Sequence, residues 1–109
     1  MRFHRAERVS KLIREELAKI IIKEMEFPGV LVTLTEVEID KKMEHAKVGV
    51  SVLPEAAEEK VMRNLESRTG WLQHLLFVKI NIRPMPMIAF HADRGYENAA
   101  EVEKALLKE

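Results

Sequence analysis

The chain has no cysteine among its 109 residues, which excludes a disulfide framework, a thiolate zinc site, thiol-linked haem and a cysteine nucleophile. Chains without cysteine suit a reducing compartment, so the cytoplasm is the expected location. Apolar runs are short: none exceeds about four residues (Leu75 to Val78), against the ~20 that span a bilayer, and Met1 is not followed by the apolar region of a signal peptide. No membrane partner is expected. The glycines, Gly29, Gly49, Gly70 and Gly95, stand singly, so the chain has neither a GxGxxG turn nor a Walker loop. Net charge is absent as well, with 18 Lys and Arg against 18 Asp and Glu. Taken alone, that balance argues against a polyanionic partner.

The balance conceals an uneven distribution. Residues 1–23 carry seven bases (Arg2, Arg5, Arg8, Lys11, Arg14, Lys19, Lys23) against three acids, a sum of +4. Residues 24–59 sum to −6, residues 60–84 to +4 (Lys60, Arg63, Arg68, Lys79 and Arg83 against Glu66), and residues 85–109 to −2. Two basic segments flanking an acidic one can lie side by side in a fold and form one positive face.

What is present is enough for one folded domain over residues 1–109. With 47% hydrophobic residues, a chain of this length buries roughly 65% of its unfolded surface without staples. In residues 5–25, Val9, Leu12, Ile13, Leu17, Ile20 and Ile21 follow the spacing of an amphipathic helix with a mostly basic outer side, ended by Pro28 and Gly29. Residues 30–39 (VLVTLTEVEI) read as a strand whose apolar phase shifts near Thr35 and Glu36, the mark of a bulge. Ala46, Val48, Val50 and Val52 alternate with polar or small residues, so a second strand closes an antiparallel hairpin.

After Pro54 the helical pattern Val61, Leu65, Leu72, Leu75, Leu76 is interrupted by Gly70, which predicts two helices meeting at a bend over residues 67–70. Residues 78–82 (VKINI) read as extended, residues 87–91 (MIAFH) as a strand, and residues 96–108 as a terminal helix. The expected fold is α+β, with helices on one face of a small three-stranded sheet.

Catalytic constellations are weak. His91 with Asp93 could serve as base and orienter or as two ligands, but the pair reads far better as an edge-strand histidine beside a turn-forming aspartate, and His4, His45 and His74 are scattered. No cofactor or metal site and no enzymatic activity are expected. The methionines read as core and edge filling. Trp71 reads as a core anchor beneath the helix bend; the alternative is an exposed ring beside Arg68 that stacks on an unpaired base.

The segments RVSKLIREELAKII (8–21), LVTLTEVEI (31–39), HAKVGVSVL (45–53), the glycine within the second helix and RPMPMIAFHAD (83–93) occur in an order that resembles bacterial ribosome-binding factor A along nearly the whole chain. The resemblance implies a single KH-like domain of type II order. It also implies a monomeric assembly factor that binds the free small ribosomal subunit and 16S rRNA, assists late maturation including the rRNA 5′ end, supports cold adaptation and departs before translation. The family replaces the KH GxxG loop by an Ala-x-Gly kink, which falls here on Arg68, Thr69 and Gly70, with Arg68 in place of Ala. Phe27, Pro28 and Gly29 likewise stand where the family has Asp-Pro-Arg. The expected RNA contacts are Arg5, Arg8 and Lys11 of the first helix with Arg63, Arg68, Lys79 and Arg83. A rival reading makes the acidic hairpin (Glu36, Glu38, Glu44) a protein-docking edge.

Overall fold

A computed structural model describes residues 5–94. Its first element, α1 (Arg5–Glu24), buries Val9, Ile13, Leu17 and Ile21, which recur every four residues and so share one stripe. The chain turns out of α1 at Pro28 and Gly29. Gly29 adopts φ +71° and the Val30 N–H donates to the Phe27 carbonyl at 3.0 Å, the geometry of a type II turn with Pro and Gly at its centre.

Strands β1 (Leu31–Ile39) and β2 (His45–Leu53) pair antiparallel. The register slips by one residue between Leu34 and Val37, so the bulge lies at Thr35 and Glu36 as the apolar phase shift predicts. In the intervening turn, the Asp40 carboxylate accepts from the N–H groups of Glu44 (2.8 Å) and His45 (3.2 Å) and lies 2.9 Å from His45 Nδ1. These contacts, that to the His45 ring foremost, hold the Asp40 carboxyl below its ordinary value.

A 3₁₀ turn (Glu55–Ala57) then leads into α2 (Glu58–Ser67), α3 (Thr69–Ile80) and β3 (Met87–Ala92). The bend falls within the predicted segment. Residues 78–82 are not extended: α3 continues to Ile80 and stops at Asn81, which takes the left-handed conformation and donates its N–H to the Phe77 carbonyl at 2.7 Å. Val78, Ile80 and Ile82 imitate a strand, but so short a run cannot be told from helix by periodicity, and packing of α3 on α1 decides the outcome. The helix expected at residues 96–108 lies outside the described residues.

β3 lies parallel to β2, from His45 opposite Met87 to Val50 opposite Ala92, in a sheet of order β1-β2-β3. The architecture is the expected α+β arrangement in α-β-β-α-α-β order. One sheet face, carrying Ala46, Val48, Val50, Val52, Ile88 and Phe90, closes a core with Ile13, Leu17, Leu65, Leu72 and Leu76. Each of those large side chains contributes about 1.5–3 kcal/mol on burial.

Three polar devices fix β3. Gln73 of α3 donates to the Pro86 carbonyl (2.9 Å) and accepts from the Ile88 N–H (2.8 Å), so one amide seats the start of the strand. On the open face Thr35 Oγ1 donates to Asp93 Oδ2 at 2.6 Å, tying the bulge of β1 to the end of β3 across the central strand. The crossing passes directly over Gly49, where a Cβ would collide with Thr35 Oγ1. Finally, Arg94 grips both oxygens of Glu58 at 3.1 and 2.7 Å, with Glu55 3.9 Å away, which pulls the Glu58 carboxyl below its ordinary 4.5.

Two measurements check these devices. Gly49→Ala forces Thr35 and Asp93 apart and lowers the free energy of unfolding in urea by about 1–3 kcal/mol. Asp40 and Glu58 have lowered folded-state values, so their stabilisation is present above the ordinary carboxylate range and is lost as pH falls through the lowered values. The urea midpoint therefore drops on acidification from about pH 6 to about pH 3, and Glu58→Gln makes that drop shallower.

Candidate nucleic-acid interface

The cations of α1 divide between its two flanks. Arg5 and Lys23 are separated by about five whole turns and Arg8 and Lys19 by about three, so these four residues share the flank toward α3. Lys11 and Arg14 lie on the flank toward β1. There Arg14 Nη1 donates to the Thr35 carbonyl at 3.2 Å, and both residues border a hollow with Glu7, Ser10 and Glu36.

The flank toward α3 brings the two basic segments of the sequence together. At one end Arg5 Nη2 donates to the Arg83 carbonyl at 3.1 Å, and the Arg83 guanidinium stands over the Phe77 ring, 5.8 Å from its centroid. At the other end Lys19 and Lys23 of α1 face Lys79 of α3 across a groove floored by Ile20, Leu75 and Val78, with Glu16 and Glu24 also at its edge. Arg5, Lys79 and Arg83 of the expected set thus line one seam. Lys11 is on the opposite side of α1, and Arg63 projects from α2 as an exposed side chain. Lys19 and Lys23, part of the basic run but outside the expected set, join the seam, and their helical spacing to Arg5 and Arg8 is the sequence signal for it.

The bend contributes a second feature. Arg68 is the residue that leaves helical geometry (φ −108°, ψ 7°), capping α2 while accepting the Leu72 N–H at 2.9 Å as the start of α3. Gly70 is an ordinary helical position, and a Cβ there would meet nothing within 4 Å. The bend therefore does not depend on Gly70; the Thr69 hydroxyl, donating to the Leu65 carbonyl at 3.0 Å, helps to close it. Trp71 is not a core anchor. It is 41% exposed, with the Arg68 guanidinium over its ring 5.6 Å from the centroid, because Leu72 and Leu76 take the inward face of α3.

All seven expected contacts, Arg5, Arg8, Lys11, Arg63, Arg68, Lys79 and Arg83, are exposed. Among the described residues the ion pairs are Lys19–Glu16, His45–Asp40 and Arg94 with Glu55 and Glu58, so none of the seven is neutralised by a carboxylate there. His91 is half-buried on β3, and Asp93 Oδ2 is occupied by Thr35 in the tie across the sheet. The described residues hold no group of three or more His, Asp or Glu suited to a metal ion and no helix long and apolar enough to cross a membrane.

Comparison with known proteins places the chain in a family. The family model for ribosome-binding factor A matches residues 5–106. A ribosome-binding factor A from Halothermothrix orenii is 33% identical over 110 residues, covering 99% of this chain and 90% of that protein. The crystal structure of ribosome-binding factor A from Thermus thermophilus superposes with a TM-score of 0.69 at 24% identity, covering 80% of this chain and 94% of the other. A Thermus thermophilus ribosome-binding factor A fitted into the cryo-EM map of a 30S complex superposes with a TM-score of 0.67 at 26% identity, covering 78% and 91%. The chain belongs to the ribosome-binding factor A family.

Proposed function

We propose that this protein binds the free 30S subunit by contacting 16S rRNA phosphates, assists late maturation including processing of the 16S 5′ end, and does so as a cytoplasmic monomer without catalysis. Family membership supports the ribosomal role, as does the relative fitted into a 30S complex. The observation that carries the mechanism is the seam of Arg5, Arg83, Lys19, Lys23 and Lys79, where two basic segments far apart in sequence meet and the cations outnumber the two carboxylates, Glu16 and Glu24, at its edge. An array of exposed cations in excess of the carboxylates beside it attracts and orients a polyanion, and each phosphate it neutralises releases counterions.

Sedimentation with purified small subunits, large subunits and whole ribosomes tests the partner, and association with free small subunits alone is the expected result. Neutralising about five phosphates gives a log-log salt slope of roughly −3.5 to −4.5, and a flat salt titration overturns the electrostatic mechanism. Charge reversal at Arg5 and Arg83 should weaken subunit binding more than reversal at Glu36, Glu38 and Glu44; the opposite ranking would favour the acidic hairpin as the docking edge. Gly70→Ala should raise folding stability by up to about 1 kcal/mol, since the added methyl meets open space, while weakening subunit binding where RNA approaches the bend. A loss of both would make the glycine structural.

A further inference from the structure

We propose that the outward face of α3 is a platform for unpaired RNA bases, with Trp71 as the stacking ring and Arg68, Lys19, Lys23 and Lys79 as phosphate contacts around it. The proposal rests on the rRNA-binding reading and specifies which part of the RNA meets which part of the chain.

α3 is apolar on both sides. Leu72 and Leu76 enter the core, yet Trp71, Leu75 and Val78, spaced i, i+4 and i+7, make a second apolar stripe on the outer side. A helix with a solvated outer face ordinarily carries polar residues there. Here Trp71 is 41% and Val78 64% exposed, and exposed His74 falls on the same side.

The surrounding charge selects the occupant. Arg68 lies over the Trp71 ring, and Lys19, Lys23 and Lys79 border the groove into which Leu75 and Val78 open. The groove carries two carboxylates, of which Glu16 already pairs with Lys19 at 3.3 Å. An apolar protein helix would be served by the stripe but not by the cations. Single-stranded RNA uses both, since its bases stack on aromatic rings and guanidinium planes while its phosphates seek positive charge. Duplex RNA keeps its base faces stacked inside and cannot use the ring. Gly70 fits the same reading: it keeps the surface beside Trp71 bare although no atom of the protein requires that.

Trp71 is the only tryptophan of the chain, so intrinsic emission reports directly on this ring. The full chain would be titrated at low salt with oligo(A) and oligo(U) of about ten nucleotides and with an RNA duplex of equal length. Single strands should quench the emission and bind more tightly than the duplex. Trp71→Ala should weaken single-strand binding about tenfold, with Trp71→Phe retaining most of it and circular dichroism confirming that both variants are folded. Binding without quenching, or equal single-strand affinity for wild type and Trp71→Ala, overturns the proposal; the rRNA reading then stands if small-subunit binding keeps its steep salt dependence and falls if that is flat. Loss of small-subunit binding by Trp71→Ala, with no oligonucleotide ever quenching the ring, would assign the face to a protein and overturn the proposal as well.

Discussion

Parallel pairing of β3 with β2 is the constraint on which the rest of the molecule depends. A parallel neighbour cannot be reached by a tight turn; the chain must travel back along the sheet before the third strand begins. The 23 residues of α2, Arg68 and α3 would make a straight helix of about 34 Å, against about 20 Å for the six residues of β3. Bending at Arg68 resolves the mismatch. It lets α2 lie against β2 and β3 while α3 turns toward α1, and the seam between α1 and α3 exists because of that turn.

The same packing explains how a chain of zero net charge can present a positive surface. Several acids are committed: Glu58 and Glu55 to Arg94, Asp40 to the hairpin turn and His45, Glu16 to Lys19. Arg5 and Arg14, by contrast, donate to backbone carbonyls, which orient a guanidinium without cancelling its charge. Neutrality of the whole and polarity of its surface are therefore compatible.

Much of this was legible in the sequence. The four-residue recurrence in α1, the alternation in β2 and the phase shift at Thr35 each reflect a local geometry with a fixed period, and each element is where the pattern places it. The end of α3 was not legible, since β-branched residues suit both a strand and the last turn of a packed helix. Nor was the exposure of Trp71: in a helix apolar on two sides, spacing cannot say which side the core takes, and Leu72 and Leu76 won by fitting against the sheet. The division of cations on α1 was hidden for a related reason. A helical wheel orders residues around an axis but does not say that β1 lies on one flank and α3 on the other.

The gathering of cations along the seam has a consequence for the free protein. Lys19, Lys23 and Lys79 border one groove, with Glu16 and Glu24 as partial compensation, and Arg5 adjoins Arg83; like charges held this close repel, and the fold bears that repulsion whenever it is alone. A polyanion laid along the seam removes the repulsion as it binds. Occupied and empty forms therefore differ in stability as well as in contacts, and any ligand that favours the folded chain over the unfolded one deepens the native basin with the logarithm of its concentration relative to its dissociation constant.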